Sequence, residues 1–195
     1  GTSLITSAKI SSRIKTHHSD NLGRWSGVTL QGRGQKKITI LQCYQVPQQS
    51  TSGTATAHSQ QTSILRQQGS FLKPREAFVT DLNTLLNTLQ PTINHGILLM
   101  GDFNDDVLRL NSKLGQLMDR HRLLDVHRYD NFPETPPATY IRGTKQVDYM
   151  FVTTNLLPYV VQSGFDAFGT FIPSDHRGVW LDLKLQDYLG NDLIV

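Results

Sequence analysis

Three short stretches set carboxylates, a carboxamide and an imidazole where apolar, strand-like runs begin or end. Ile97-Leu98-Leu99-Met100 runs into Gly101-Asp102-Phe103-Asn104. Gln146-Val147-Asp148-Tyr149-Met150-Phe151-Val152 carries a carboxylate inside another apolar strand. Ile172-Pro173 leads into Ser174-Asp175-His176, after which Val179-Trp180-Leu181-Asp182-Leu183 resumes as a strand. Asp, Asn, Asp, Asp and His at strand ends are the types a metal-assisted phosphoester hydrolysis uses. They combine hard oxygen ligands for a divalent cation with a proton acceptor and a neutral hydrogen-bonding group for phosphate oxygens.

Each stretch has its own logic. A glycine at the end of a buried strand lets the backbone turn sharply. Asp102 and Asn104 are two apart and share a face if the extended geometry persists. Asp102 can orient a water or a metal-bound hydroxide, and Asn104 can hydrogen-bond a phosphate oxygen without adding charge. The alternative is an ordinary turn, since Gly, Asp and Asn are all favoured there. Ser174-Asp175-His176 does not read as a Ser-His-Asp triad, because three consecutive side chains rarely line up as successive hydrogen-bond partners. Asp175 suits a hard cation, and His176 suits a base or a phosphate contact. A basic histidine needs a second carboxylate to fix its tautomer, and Asp148 is the candidate. Asp148 could instead pair with another donor at a strand end; burial demands a partner in either case.

These groups need a scaffold, and the hydrophobic pattern outlines one. Ser26–Leu30 and Lys37–Tyr44 read as strands joined by the basic turn Gln31–Gln35, which is a hairpin. The Gln-, Ser- and Thr-rich stretch from Gln48 to Ser63 reads as a connection, with a helix starting near Thr56 and ending at Gly69. Pro74 opens an amphipathic helix in which Phe78, Leu82, Leu85, Leu86 and Leu89 share a face, and Gln90-Pro91 ends it. Ile97–Met100 is too short for a helix and fits a buried strand. Leu114, Leu117, Met118 and His121 mark a second helix. Val179, Leu181, Leu183 and Leu185 alternate with Trp180, Asp182 and Lys184, so one face of that strand is buried. Strands with interspersed helices argue for mixed α/β layers.

Composition bounds the rest. At 195 residues, one domain covering 1–195 is expected, large enough to bury a core. No run approaches the roughly 20 apolar residues of a membrane span, so no membrane partner is expected and an intracellular site, nuclear or cytoplasmic, is favoured. The single cysteine, Cys43, excludes an internal disulfide framework and reads as a buried, inert thiol. Charge is uneven: residues 1–75 carry ten Lys/Arg and one acid, while the remainder carry nine Lys/Arg and fifteen acids. Arg13, Lys15, His17, His18, Arg24, Arg33, Lys36 and Lys37 suggest a surface for successive phosphates of a nucleic-acid backbone. Charge spread over loops for solubility is the plainer alternative, and His17-His18 reads as a solvated loop. The chain starts at Gly1 and runs straight into apolar residues, which reads as an excised domain.

Taken together, Gly101-Asp102-Phe103-Asn104, Val147-Asp148-Tyr149 and Ser174-Asp175-His176, in this order, resemble the endonuclease/exonuclease/phosphatase superfamily. The resemblance runs from about Gly1 to Leu185. It implies an α/β (α+β) fold, a four-layer α/β/β/α sandwich of two mixed sheets, working with Mg²⁺ or Mn²⁺. It also implies roles: His176 as base or phosphate contact oriented by Asp148, and Asp175 and Asp102 at the metal. Asp102 and Asn104 would position nucleophile and scissile phosphate, Tyr44 would contact phosphate, and Thr139-Tyr140 would position the site. The style of the closing stretch, and of Leu22-Gly23-Arg24-Trp25-Ser26, is similar to retroelement-associated members, implying an endonuclease that nicks DNA. One departure stands out: the family's Asn-bearing first strand and metal-binding Glu have no counterpart, since Glu76 opens a helix and Glu134 lies among prolines. The fold is therefore expected to be incomplete at its N-terminus. A phosphatase or phospholipase of the same fold, or an inactive remnant that binds nucleic acid, are the alternatives. Oligomeric state is not readable.

Overall fold

Residues 2–48, 55–129, 136–170 and 173–190 are described in a computed structural model. The first half runs α1 (Ala8–Ser11), β1 (Ile14–Ser19), β2 (Trp25–Gln31), β3 (Lys37–Tyr44), α2 (Ala57–Gln67), α3 (Pro74–Leu89) and β4 (His95–Asp102). The second runs α4 (Lys113–Arg120), β5 (Leu123–Asp125), α5 (Val126–Tyr129), β6 (Asp148–Thr153), β7 (Val160–Phe165), β8 (Val179–Leu183) and α6 (Leu185–Leu189). Six strands form a mixed sheet in the order β1-β2-β3-β4-β6-β5, and β7 pairs with β8 in a second sheet.

Side-chain alternation gives the large sheet two working faces. On one, Leu41 and Cys43 of β3, Ile97 and Leu99 of β4, and Tyr149 and Phe151 of β6 meet the apolar stripes of α3 and α4. Pro74 at the first helical position and Glu76, whose carboxylate accepts the Lys73 backbone N–H, start α3; Gln90 in the left-handed region ends it. Burying Phe78, Leu82 and Leu86 contributes about 1.5–3 kcal/mol each. Buried Arg24 ties this layer down, bonding Asp20 at its own turn and Asp81 on α3 at 2.7 and 2.8 Å. The opposite face, with Val28, Ile38, Leu98, Met150 and Val152, packs against α6 and the second sheet. The expected sandwich is thus formed, with helices, large sheet and second sheet as the layers that the described residues supply. The second sheet is an antiparallel pair, β7 with β8, rather than mixed.

The hairpin, the helices near Thr56, Pro74 and Leu114, and the strands at Ile97, Asp148 and Leu181 fall where the pattern places them. Cys43 is fully buried, and burial pushes its thiol far above the ordinary value. Among the described residues no helix is long and apolar enough to cross a membrane. Glu134 and Ile172 lie outside the described residues.

Two expectations are corrected. His17 and His18 belong to strand β1 rather than a loop, paired with Val28 and Gly27 of β2. Their strand is polar because it is the sheet's edge, so no apolar alternation announces it. His18 Nε2, Thr29 Oγ1, Thr39 Oγ1 and His95 Nε2 link into a hydrogen-bonded chain at 2.7, 2.7 and 2.8 Å across β1 to β4. The inward face of β8 is only half-buried, at Val179, Leu181 and Leu183, and Leu185 opens α6 instead of continuing the strand.

The histidine chain has a pH consequence. Burial, then the charge of His17, lowers the pKa of His18; burial, then Lys37, lowers that of His95. The unfolded chain then binds protons that the folded one refuses. Their contribution is complete above the unfolded value of about 6.5 and is lost as pH falls through it. Urea denaturation should show stability falling from about pH 7 to about pH 5, and His18→Gln with His95→Gln should flatten that fall. An unchanged slope in the double variant would remove these histidines from the account.

Candidate active site

Strand register assembles the site. β3 and β4 run parallel with Tyr44 beside Asp102, and β4 and β6 run antiparallel with Asp102 opposite Asp148. Three functional side chains therefore sit in a row at one end of adjacent strands, on the face toward the second sheet. Gly101 makes this possible: it has φ +139°, and a Cβ there would lie 1.9 Å from the Cys43 carbonyl. Only glycine fits such an approach.

The Asp102–Asn104 segment is both a turn and a site. The strand stops at Asp102, and Asn104 adopts φ +45°, so the two side chains do not share an extended face. The Asp102 carboxylate instead accepts the Asn104 backbone N–H at 2.9 Å and its Nδ2 at 2.8 Å. Asn104 Nδ2 also donates to the Gln45 carbonyl at 2.9 Å, so the carboxamide's donors are engaged within the protein. Between them Phe103, fully buried, lies edge-on to Phe78, Tyr149 and Phe151 with centroids 5.4–6.2 Å apart. Such aromatic pairs contribute roughly 0.5–1.5 kcal/mol beyond area burial and pin the turn.

His176 arrives from the second layer. A short antiparallel contact holds its loop to Tyr140, with Ile141 N–H bonding the Asp175 carbonyl and Arg177 N–H bonding the Thr139 carbonyl, each at 2.8 Å. The Ser174 hydroxyl accepts the His176 backbone N–H, a turn role that matches the rejection of a serine triad. His176 Nδ1 lies 2.8 Å from Asp148 Oδ2. An ionised carboxylate only accepts, so Nδ1 carries the proton and Nε2 is the nitrogen left for a substrate or water. Candidate ligand atoms of Asp102, Asp148 and His176 lie within 4.8 Å of one another, along a cleft of about 370 Å³.

The electrostatics are those of two acids and one base forced together. Burial, then the Asp148 charge, pushes the Asp102 pKa up to about 6 against the Asn104 hydrogen bonds. Burial also raises Asp148, with hydrogen bonds from Thr139 and His176 opposing it. Burial alone would lower His176; the hydrogen bond and charge of Asp148, with Asp102 and Asp175 behind them, raise it instead. Tyr44, half-buried, has its phenol raised by burial and then by Asp102, so it stays protonated as a donor.

The expected residues are distributed as follows. Tyr44, Asp102, Asn104, Asp148 and His176 come together. Asp175 is exposed and stands outside the trio, although its charge is felt by Asp148 and His176. Thr139 is buried and its Oγ1 accepts the Val147 and Asp148 backbone N–H groups at 2.9 and 3.0 Å. The Tyr140 ring lies 5.0 Å from that of His176.

Sequence reasoning missed three supports. Gln146 Nε2 bonds the Asp148 carbonyl and Asp125, a pairing that needs β5 beside β6. Arg75 Nη1 donates to the Val46 and Asn104 carbonyls at 2.9 Å each. Arg177 donates to the Ala138 and Asp166 carbonyls and stacks on Phe168. Apart from the Gln146–Asp148 contact two residues along the strand, the partners are separated in sequence and give no local signal.

The basic first half does not border this cleft as expected. Arg13 and Arg24 are buried and bonded within the fold. Lys37 pairs with His95 at the far end of the strands, seven residues from the Tyr44–Asp102 pair, or about 23 Å at roughly 3.3 Å per residue.

Comparison with known proteins places this geometry. The model of the Endonuclease/Exonuclease/phosphatase family matches residues 18–176, and the chain belongs to that family. No curated protein matches it in sequence. Among solved structures, AP endonuclease LMAP from Leishmania major has a TM-score of 0.57 at 16% identity, covering 82% of this chain and 55% of that one. The endonuclease domain of TRAS1, a telomere-specific non-LTR retrotransposon, has 0.56 at 18% identity, with 88% and 69% covered. The 3′ phosphatase NExo from Neisseria, bound to product DNA hairpin, has 0.53 at 16% identity, with 85% and 66% covered. These likenesses show the fold, and this chain spans 55–69% of the length of those three.

If Asp148 carries the His176 shift, Asp148→Asn removes the charge and His176 should titrate at lower pH. Imidazole resonances followed by NMR across pH read this directly. A midpoint unmoved by the substitution would show that the shift has another origin.

Proposed function

We propose that this chain is the scaffold of a metal-dependent phosphodiesterase of endonuclease type that nicks DNA. The observation that carries the reading is the buried Asp102–Asp148 pair at adjacent strand ends with His176 hydrogen-bonded to Asp148. Nucleic acid as substrate is supported by the kinds of protein sharing the fold: an AP endonuclease, a retrotransposon endonuclease domain and a phosphatase bound to a DNA hairpin.

The residues fit a hard divalent cation. Asp102 has its carboxylate raised to about 6 by burial and a like charge, and among the described residues no Lys or Arg pairs with it. Asp102, the carboxylate of that trio that pairs with no cation, would hold Mg²⁺ or Mn²⁺. Such an ion supplies positive charge against the charge developing on the phosphate.

The side chains divide the remaining work. Attack of water on phosphorus forms one P–O bond and breaks another, releasing a proton at the nucleophile. Asp102, at the end of its strand beside Asp148, is placed to orient that water and accept the proton. The raised pKa of His176 favours imidazolium, which donates to the developing phosphate charge from Nε2 while Asp148 fixes the ring. Tyr44 adds a second donor. Asn104 acts as a positioning residue for Asp102, because its donors are already engaged.

Plasmid nicking tests this. Supercoiled plasmid with Mg²⁺ should be nicked by the chain, nicking should stop in EDTA, and His176→Ala should lower turnover by about 10² or more. A folded chain that leaves plasmid intact, or near-unchanged turnover in His176→Ala, overturns the assignment. The pH profile has a defined sign as well. Activity should fall at higher pH as His176, whose pKa is raised, loses its proton. A high-pH limb left in place by Asp148→Asn would remove His176 as the group that titrates.

A further inference from the structure

On the other side of the Asn104 turn from the acidic cleft lies a cavity of about 460 Å³. Four cations line it, Lys73, Arg75, Arg109 and Lys113, against two carboxylates, Glu76 and Asp105. The carboxylates hold three of these cations in place: Asp105 pairs with Arg75 at 3.1 Å and Arg109 at 3.5 Å, and Glu76 pairs with Lys113 at 2.9 Å. Arg109 and Lys113 nevertheless remain half or more exposed, at 51% and 66%.

Two helices begin at this cavity. The first turn of α3 contributes Arg75 and Glu76, and the first turn of α4 contributes Lys113 and Leu114. Each helix start presents backbone N–H groups and the positive end of its dipole. Gln45, following Leu41 and Cys43 on the helical side of the sheet, lines the cavity floor and is 1% exposed.

We propose that this cavity binds a backbone phosphate of the nucleic-acid substrate, flanking the scissile position. The proposal rests on the nucleic-acid reading of the acidic cleft. Arg75 lines the cavity and also donates to the Asn104 carbonyl. A strand crossing the ends of β3 and β4 is thereby held on both sides of the turn that carries Asp102. The distant basic residues on β1 and the β2–β3 turn are not needed for this grip.

Anisotropy of a fluorescein-labelled duplex oligonucleotide, in EDTA and across a KCl series, tests the site without requiring catalysis. Lys73→Gln with Arg109→Gln alters exposed side chains outside the acidic cleft. The double variant should bind about tenfold more weakly, with a log–log salt slope smaller by about 1–2. Affinity and slope unchanged in the double variant overturn the proposal. A second arm measures thermal stabilisation by inorganic phosphate at matched ionic strength. Stabilisation lost in the double variant, with oligonucleotide binding unaltered, would make the ligand free phosphate and overturn the backbone assignment. The two readings fail separately: absent nicking with cavity-dependent DNA binding sinks the nuclease reading alone, and normal nicking with cavity-independent binding sinks this one alone.

Discussion

Two carboxylates face each other across the β4–β6 ladder, and much of the local structure exists to make that tolerable. Asp102 and Asp148 are cross-strand partners in a largely buried setting. Like charges directly opposite destabilise a sheet, and burial makes each ionisation harder. The surroundings supply what the pair lacks. Asn104 gives Asp102 two N–H donors, Thr139 hydrogen-bonds Asp148, and His176 brings a proton on Nδ1. The left-handed Asn104, the close approach at Gly101 and the bridge between Tyr140 and His176 are the backbone consequences. Each would be gratuitous in a sheet whose strands ended in apolar residues.

The same pair explains what was legible in the sequence. Groups local to a motif could be read: Gly101, Asp102 and Asn104 as one unit, Asp148 within its strand, His176 beside Asp175. Their register was not readable, because it depends on β3 lying parallel to β4 and β6 lying antiparallel to it. The choice between turn and site at Asp102-Phe103-Asn104 proved not to be a choice, since the turn is what aims the carboxylate. Strand β1 escaped because an edge strand can be polar on both faces, and a pair of histidines there looks like a loop. Gln146, Asp125 and Arg75 escaped for a different reason. Their partners are carbonyls and carboxylates brought near only by the fold.

Charge shows most clearly how sequence position can mislead. The excess of Lys and Arg before residue 76 suggested a polyanion surface at the site. Folding puts Arg13 and Arg24 inside as structural ties and sends Arg33, Lys36 and Lys37 to the far end of the strands. Cations beside the Asn104 turn come from the starts of α3 and α4, and only two of them, Lys73 and Arg75 at the very end of that basic stretch, belong to it. A count along the chain measures composition, whereas a ligand responds to the field at one end of a sheet.

The site also joins two layers of unequal packing. Asp102 and Asp148 stand on strands backed by the fully buried cluster around Phe78, Phe103 and Phe151. His176 hangs from the loop before β8, whose inward side chains are only half-buried and whose Trp180 is 38% exposed. Fewer buried contacts mean a lower local opening energy. The carboxylate pair is therefore the rigid member, and the imidazole is the member that moves when the second layer loosens. At the site itself the hydrogen bond from His176 Nδ1 to Asp148 Oδ2 joins those layers. Since Asp148 raises the imidazole pKa, the charge on His176 reports whether the second sheet is docked. Packing between sheets and protonation at the site are thus one equilibrium: whatever strengthens the face of β8 also holds the imidazolium against the carboxylates that need it.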